Sequence, residues 1–196
     1  MNKTIVEILQ HHDIDGFEKV GGTDKNTIHN YVGSYERLLE PYRNKSVDVL
    51  EVGVQYGGSS LLWQDYMPNA KLAFVDIQDQ MYQTIKDKLN FERCKYYIMD
   101  AYIDESVKKL TDDFSEGFDV MIEDGPHTLE SQIIFIQKYL PILKKGGIMI
   151  IEDIQSLSYI EILKSITPKE FQDKIEVIDL VHTRGRYDDL MFVIRN

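Results

Sequence analysis

VDVLEVGVQYGGSSLLWQDY (47–66) is the stretch that decides the fold. It opens on an apolar run, passes through Gly53, Gly57 and Gly58, and continues with apolar residues at helical spacing. That order reads as a buried strand, a tight turn and a helix. The same alternation repeats downstream. KLAFVDI (71–77), KYYIMD (95–100), FDVMIED (118–124) and GIMIIED (147–153) read as strands. DQMYQTIKDKL (79–89), DESVKKLTDDF (104–114), LESQIIFIQKYLPILKKGG (129–147) and SLSYIEILKSI (156–166) read as helices, the third ending on Gly-Gly. Near-continuously apolar strands alternating with helices predict an α/β, Rossmann-like fold, its mostly parallel sheet covered on both faces. KIEVIDLV (174–181) and DLMFVIRN (189–196) are only seven residues apart. That link is too short for a helical crossover, so these two strands pair antiparallel.

Upstream of this core, 3–12 reads as a short helix, 13–26 as a glycine-containing loop, and 27–42 as a second helix ending near Pro41. The expected organisation is one domain, 1–196, with an N-terminal helical cap over 1–45 and the Rossmann-like core over 46–196.

Composition narrows the function classes. The formal net charge of −11 disfavours a nucleic-acid-binding surface, which needs clustered positive charge, and an anionic membrane surface as well. Cys94 is the single cysteine, so no disulfide framework or cysteine-based zinc site is expected. The start, MNKTIVEILQHHD, does not read as a signal peptide, and no apolar run reaches membrane-spanning length. A cytoplasmic location is the expectation; a homo-oligomer is left open.

Two strand ends carry the chemistry. FDVMIEDGPH (118–127) and GGIMIIEDIQ (146–155) both stop on Glu-Asp. Two acids closing a buried strand are costly unless a cation, a proton donor or a substrate meets them. In open α/β sheets, ligands sit outside the carboxyl ends of the strands. Asp124, Glu152 and Asp153 are therefore candidate oxygen ligands for a divalent cation, Mg²⁺ or Mn²⁺. His127, on a Gly-Pro turn, is placed to be a general base. Glu123 is expected to face elsewhere, because neighbouring strand residues point to opposite faces.

The first three strand ends suggest a second ligand. Glycines let backbone approach a ligand, and the helix start after them offers free N–H groups. Gln55 and Tyr56 break the G-x-G-x-x-G fingerprint of pyrophosphate binding. Glu51 would repel phosphate and suits a ligand carrying an ammonium group. Asp76 ends the second strand, where an acid can accept ribose hydroxyls, and Asp100-Ala101 ends the third, where an acid can meet an adenine amino group. Each acid alone also reads as a helix cap.

Taken together, EVGVQYGG, FVDIQ, MDA, FDVMIED and the closing hairpin resemble the class I S-adenosylmethionine-dependent methyltransferases over roughly 47–196. The resemblance implies S-adenosylmethionine as cofactor, held by Glu51, Gly53, Gln55, Gly57 and Ser59 at its methionine end, Asp76 at the ribose, and Asp100 and Ala101 at the adenine. It also implies a seven-stranded methyltransferase sheet, with the last strand antiparallel and inserted between the fifth and sixth.

A narrower group is similar too: the metal-dependent sugar O-methyltransferases of the macrocin type, with the cephalosporin-hydroxylase-like enzymes. There an Asp-Gly-x-His segment supplies a metal ligand and the base, and a following Glu-Asp pair two more ligands. The matching positions are Asp124, His127, Glu152 and Asp153. GTDKNTIHNYVGSYERLLEPYR (22–43) and HTRGRYDDLMFVIR (182–195) also resemble that group. The first implies Lys25, His29 and Tyr31 as pocket residues on a segment that folds over the cofactor and substrate; the second, the closing hairpin, implies Asp188 or Asp189 near the site. Only about 45 residues precede the first strand, fewer than is usual in the group, so a small or exposed sugar is the expected acceptor. Two rivals remain: a catechol-type methyltransferase, and a cofactor-binding but inactive partner subunit.

Overall fold

The structure, a computed structural model, describes residues 2–196. Its centre is a seven-stranded sheet. In chain order the strands are β1 (Asp48–Val52), β2 (Lys71–Asp76), β3 (Cys94–Ile98), β4 (Phe118–Glu123), β5 (Leu143–Ile151), β6 (Ile175–Asp179) and β7 (Leu190–Arg195). They lie in the order β3-β2-β1-β4-β5-β7-β6. The first five are parallel, while β7 runs antiparallel to both β5 and β6. The hairpin and the inserted last strand are thus as expected. The order reverses between β1 and β4, where the carboxyl ends open a crevice.

Eight helices among the described residues surround the sheet: α1 (Ile5–His12), α2 (Val32–Leu39), α3 (Gly58–Tyr66), α4 (Gln83–Lys86), α5 (Asp104–Asp113), α6 (Leu129–Tyr139), α7 (Leu157–Ile166) and α8 (Val181–Arg184). Strand alternation sends Val49, Ile122 and Ile150 to one face, where they pack with Leu9, Tyr35, Leu39, Leu62 and Trp63. Leu50, Met121 and Ile151 go to the other, with Leu110, Phe135, Tyr139 and Leu163. Burial of each such side chain contributes roughly 1.5–3 kcal/mol. The same alternation directs the acids at the strand ends. Glu123 follows Met121 to the second face, where Tyr102 donates to its Oε1 at 2.5 Å. Glu51 and Glu152 go to the first.

Three expected boundaries are corrected. The helix read over 129–147 stops at Tyr139; a 3-10 turn (Leu140–Ile142) follows, and β5 begins at Leu143. Pro141 lacks the N–H that helix continuation needs, and Leu143 pairs with Phe118 at the start of β4. The Gly-Gly therefore lies inside a strand. The helix read over 79–89 shrinks to α4, because the chain after β2 first wraps around the Asp76 carboxylate, Gln78 donating its amide to Oδ1 at 3.0 Å. The helix read over 27–42 starts at Val32, since the amides of Thr27, Ile28 and His29 all donate to the Asp24 carbonyl in tight turns. No helix among the described residues is long and apolar enough to cross a membrane.

Candidate active site

At the carboxyl ends of β1, β2 and β4 lies a cavity of about 500 Å³. Its walls include Gly53, Gln55, Ser59, Asp76, Asp100, Ala101, Asp124, His127 and Asp153, which brings nine of the expected site residues together. Asp76 organises the turn: its Oδ2 accepts the amides of Val54 at 3.1 Å and Gln55 at 2.8 Å. Gln55 adopts a left-handed φ of 42° to make this turn. Gly53, at φ 86°, passes so close to the Asp124 carbonyl that an added Cβ would overlap it. The Asp100 carboxylate is partly used by the amide of Tyr102, at 2.9 Å.

Four expected pocket residues, Glu51, Lys25, His29 and Tyr31, and the expected ligand Glu152 stand behind the cavity wall rather than on it. Glu51 is fully buried, and its carboxylate accepts Ser59 Oγ and Trp63 Nε1, both at 2.9 Å. The ammonium nearest to it is Lys25 Nζ, 3.9 Å away. Burial pushes the Glu51 carboxyl up to about 7, against the pull of Lys25, Trp63 and Ser59. Gly57 also lies off the cavity. It caps α3 at φ 92°, with the Met81 side chain where a Cβ would be.

Lys25, only 1 % exposed, reaches Asp124 Oδ2 at 2.6 Å and Glu152 Oε1 at 2.5 Å. Tyr35 also donates to Glu152 Oε1. Burial works against the Lys25 charge, but Asp124, Glu152 and Glu51 outweigh it and hold the ammonium well above the usual lysine range. Burial, then Asp124 and Asp153, push Glu152 up in spite of Lys25. Tyr31 donates to Asp153 Oδ1 at 2.5 Å. His29 Nδ1 lies 2.6 Å from Asp189 Oδ1 and 3.2 Å from Asp153 Oδ1. Asp188 receives Arg186 at 2.6 Å, while fully buried Asp189 is the acid that meets His29.

Asp124, His127 and Asp153 form the cavity-facing group, with one potential ligand atom from each within 4.8 Å of the others; Glu152 is outside it. Burial and the neighbouring Asp124 carboxylate raise the Asp153 carboxyl to about 6, and His29 and His127 offset only part of this. Two crowded, partly desolvated carboxylates beside an imidazole fit a hard divalent cation with open positions. Phe17, Thr23, Asp24, Gln80 and Tyr102 also line the cavity, beyond the residues expected from the sequence. Thr23 and Asp24 sit in the Gly-Thr-Asp-Lys motif, which was the available signal. Phe17 and Gln80 lie in loops without a pattern.

A seven-stranded sheet of this order, with a glycine turn after β1 and acids at the next two strand ends, has the Rossmann-like methyltransferase architecture. The model of a family described as a methyltransferase domain matches residues 50–154, and the chain belongs to that family. The 8-demethyl-8-alpha-L-rhamnosyl tetracenomycin-C 2'-O-methyltransferase of Streptomyces olivaceus is 30% identical over 142 residues, 69% of this chain and 36% of that protein. The mycinamicin VI 2''-O-methyltransferase of Micromonospora griseorubida is 28% identical over 64% of this chain and 32% of its own length. Each match thus spans about a third of the curated relative. The structure of the MycE methyltransferase from the mycinamycin biosynthetic pathway, in complex with Mg and SAH, superposes with a TM-score of 0.73. It is 19% identical, and the match covers 100% of this chain and 55% of that one.

Proposed function

We propose that the chain is an S-adenosylmethionine-dependent O-methyltransferase that methylates a hydroxyl of a sugar or similar small diol, with a divalent cation, Mg²⁺ or Mn²⁺, at Asp124 and Asp153. The observation that carries this is the placement of Asp124, His127 and Asp153 on the wall of the same cavity that the glycine turn, Asp76 and Asp100 line. The names of the relatives, sugar O-methyltransferases, agree with it. So does the MycE complex with Mg and SAH.

S-adenosylmethionine supplies an electrophilic methyl group, and a bound divalent cation makes a nearby hydroxyl more acidic. The chain's own residues do the rest. Gly53 and the amides at the start of α3 leave room for the methionine end, while Asp76 and Asp100 face the ribose and adenine positions. Asp124 and Asp153 would hold the cation and orient the acceptor, with Glu152, held by Lys25, standing behind them. His127 takes the hydroxyl proton at Nε2, and the nearby Asp153 carboxylate stabilises the imidazolium that results. Such a base contributes about 10²- to 10⁴-fold to rate. The 13–31 segment covers the cavity through Phe17, Gly22, Thr23 and Asp24 and limits water access.

Calorimetric titration with SAH, followed by methyl transfer from labelled S-adenosylmethionine to a panel of monosaccharides and catechols, tests this assignment. Binding of SAH with transfer to sugars is the expected result. Transfer to catechols alone would overturn the acceptor class, and failure to bind SAH would overturn the whole assignment.

A further inference from the structure

The N-terminal segment closes on itself before it meets the core. Thr23 N donates to Ile14 O at 3.0 Å, Gly16 N to Thr23 O at 3.1 Å, and Asn26 clamps the Asp15 carboxylate at 2.9 and 3.0 Å. This strap touches the core at Gly58, where a Cβ would run into the backbone of Gly21 and Gly22. That contact is tight, backbone against backbone, and small. His29 and Tyr31 tie the strap's far end to Asp189 and Asp153, and Lys25 ties its middle, directly after the cavity-lining residues Thr23 and Asp24. The Lys25 ammonium bridges the ends of β4 and β5 through Asp124 and Glu152 and faces the Glu51 carboxylate of β1. Lys25 is buried behind the cavity's lining residues rather than among them, so it acts on the cavity through the acids it holds.

We propose that Lys25 is a positioning residue: a tethered cation that pins the 13–31 strap to the acids at the ends of β1, β4 and β5, and thereby builds one wall of the cofactor cavity. This rests on the assignment of the cavity to S-adenosylmethionine. Losing one partner of a buried ion pair is destabilising in itself, because the remaining charge is stranded. The test therefore uses two variants, Lys25→Met and the charge-balanced Lys25→Met/Glu152→Gln, with Leu163→Ala as a core-destabilised control on the opposite face of the sheet. Hydrogen exchange reports on the strap, and calorimetry with SAH on the cavity. In both Lys25 variants, the amides of 14–31 should exchange faster and SAH affinity should fall about 10-fold or more. In the control, strap exchange and SAH affinity should stay at parental values. If Lys25→Met does not fold, the charge-balanced pair gives the same readings. Unchanged strap exchange in the Lys25 variants would overturn the proposal, whether or not SAH binds. A parent protein that ignores SAH while its Lys25 variants loosen the strap would instead count against the cofactor assignment alone.

Discussion

Nε2 of His127 lies 3.7 Å from Oδ2 of Asp153, and both residues hold left-handed backbone, at φ 55° and 52°. A non-glycine residue in that region costs of order 1–3 kcal/mol and persists only where its surroundings over-determine it. Each sits just past a strand end, where the turn swings its side chain into the cavity. The other Asp153 oxygen is held by Tyr31, so the carboxylate is fixed from behind while it faces His127.

His127→Gly should separate chemistry from folding. Glycine accepts the left-handed backbone without strain, so the melting temperature should not fall. Methyl transfer should drop about 10²- to 10⁴-fold, with SAH affinity unchanged. A variant that keeps parental turnover would remove His127 from the role of base.

Gly53→Ala should damage the cavity at its hinge. The new Cβ would overlap the Asp124 carbonyl, backbone that cannot move without displacing β4. A stability loss of more than about 3 kcal/mol in urea unfolding is expected, together with loss of SAH binding. Asp76→Ala should act more mildly. It leaves the amides of Val54, Gln55 and Gln78 without their acceptor; only the Val54 bond is fully buried, so a loss of about 1–3 kcal/mol is expected.

Glu123 gives a pH prediction. Burial raises its carboxyl to about 7, although Tyr102 and His127 pull the other way. The folded state therefore holds a proton that the unfolded chain, with an ordinary value near 4.5, releases first. Stability conferred on the protonated form is fully present below the unfolded value and is lost as pH rises through about 7. Without added divalent ion, unfolding free energy should decline between these limits. Glu51, raised to about 7, and Asp153, raised to about 6, add to the same decline. Glu123→Gln should therefore make it shallower, and an unaltered pH profile in this variant would show that Glu123 does not contribute to it.

Much of this was legible in the sequence because periodicity and strand-end chemistry are local. The β1 turn, the β6–β7 hairpin, and the acids at Asp76, Asp100, Asp124 and Asp153 all follow from spacing that survives folding. What the sequence does not display is the partner that a different element brings to a side chain. Glu51 looks available for a ligand until Trp63 and Ser59 fold onto it from α3. Glu152 looks like a surface ligand until Lys25, 127 residues away, claims it. Asp24 and Thr23 stand beside the more conspicuous Lys25, and the apolar spacing of 129–147 runs on past Pro141, where the helix has already given way to a 3-10 turn.

The central claim joins cation, base and cofactor in one reaction, and chelation tests it most directly. Transfer of a labelled methyl group from S-adenosylmethionine to a sugar acceptor should be measured as prepared, in excess EDTA, and after Mg²⁺ is restored in excess over the chelator. Loss of turnover in EDTA and recovery with Mg²⁺ is the expected outcome, with Asp124→Asn and Asp153→Asn failing to recover. Undiminished turnover in excess EDTA would contradict it.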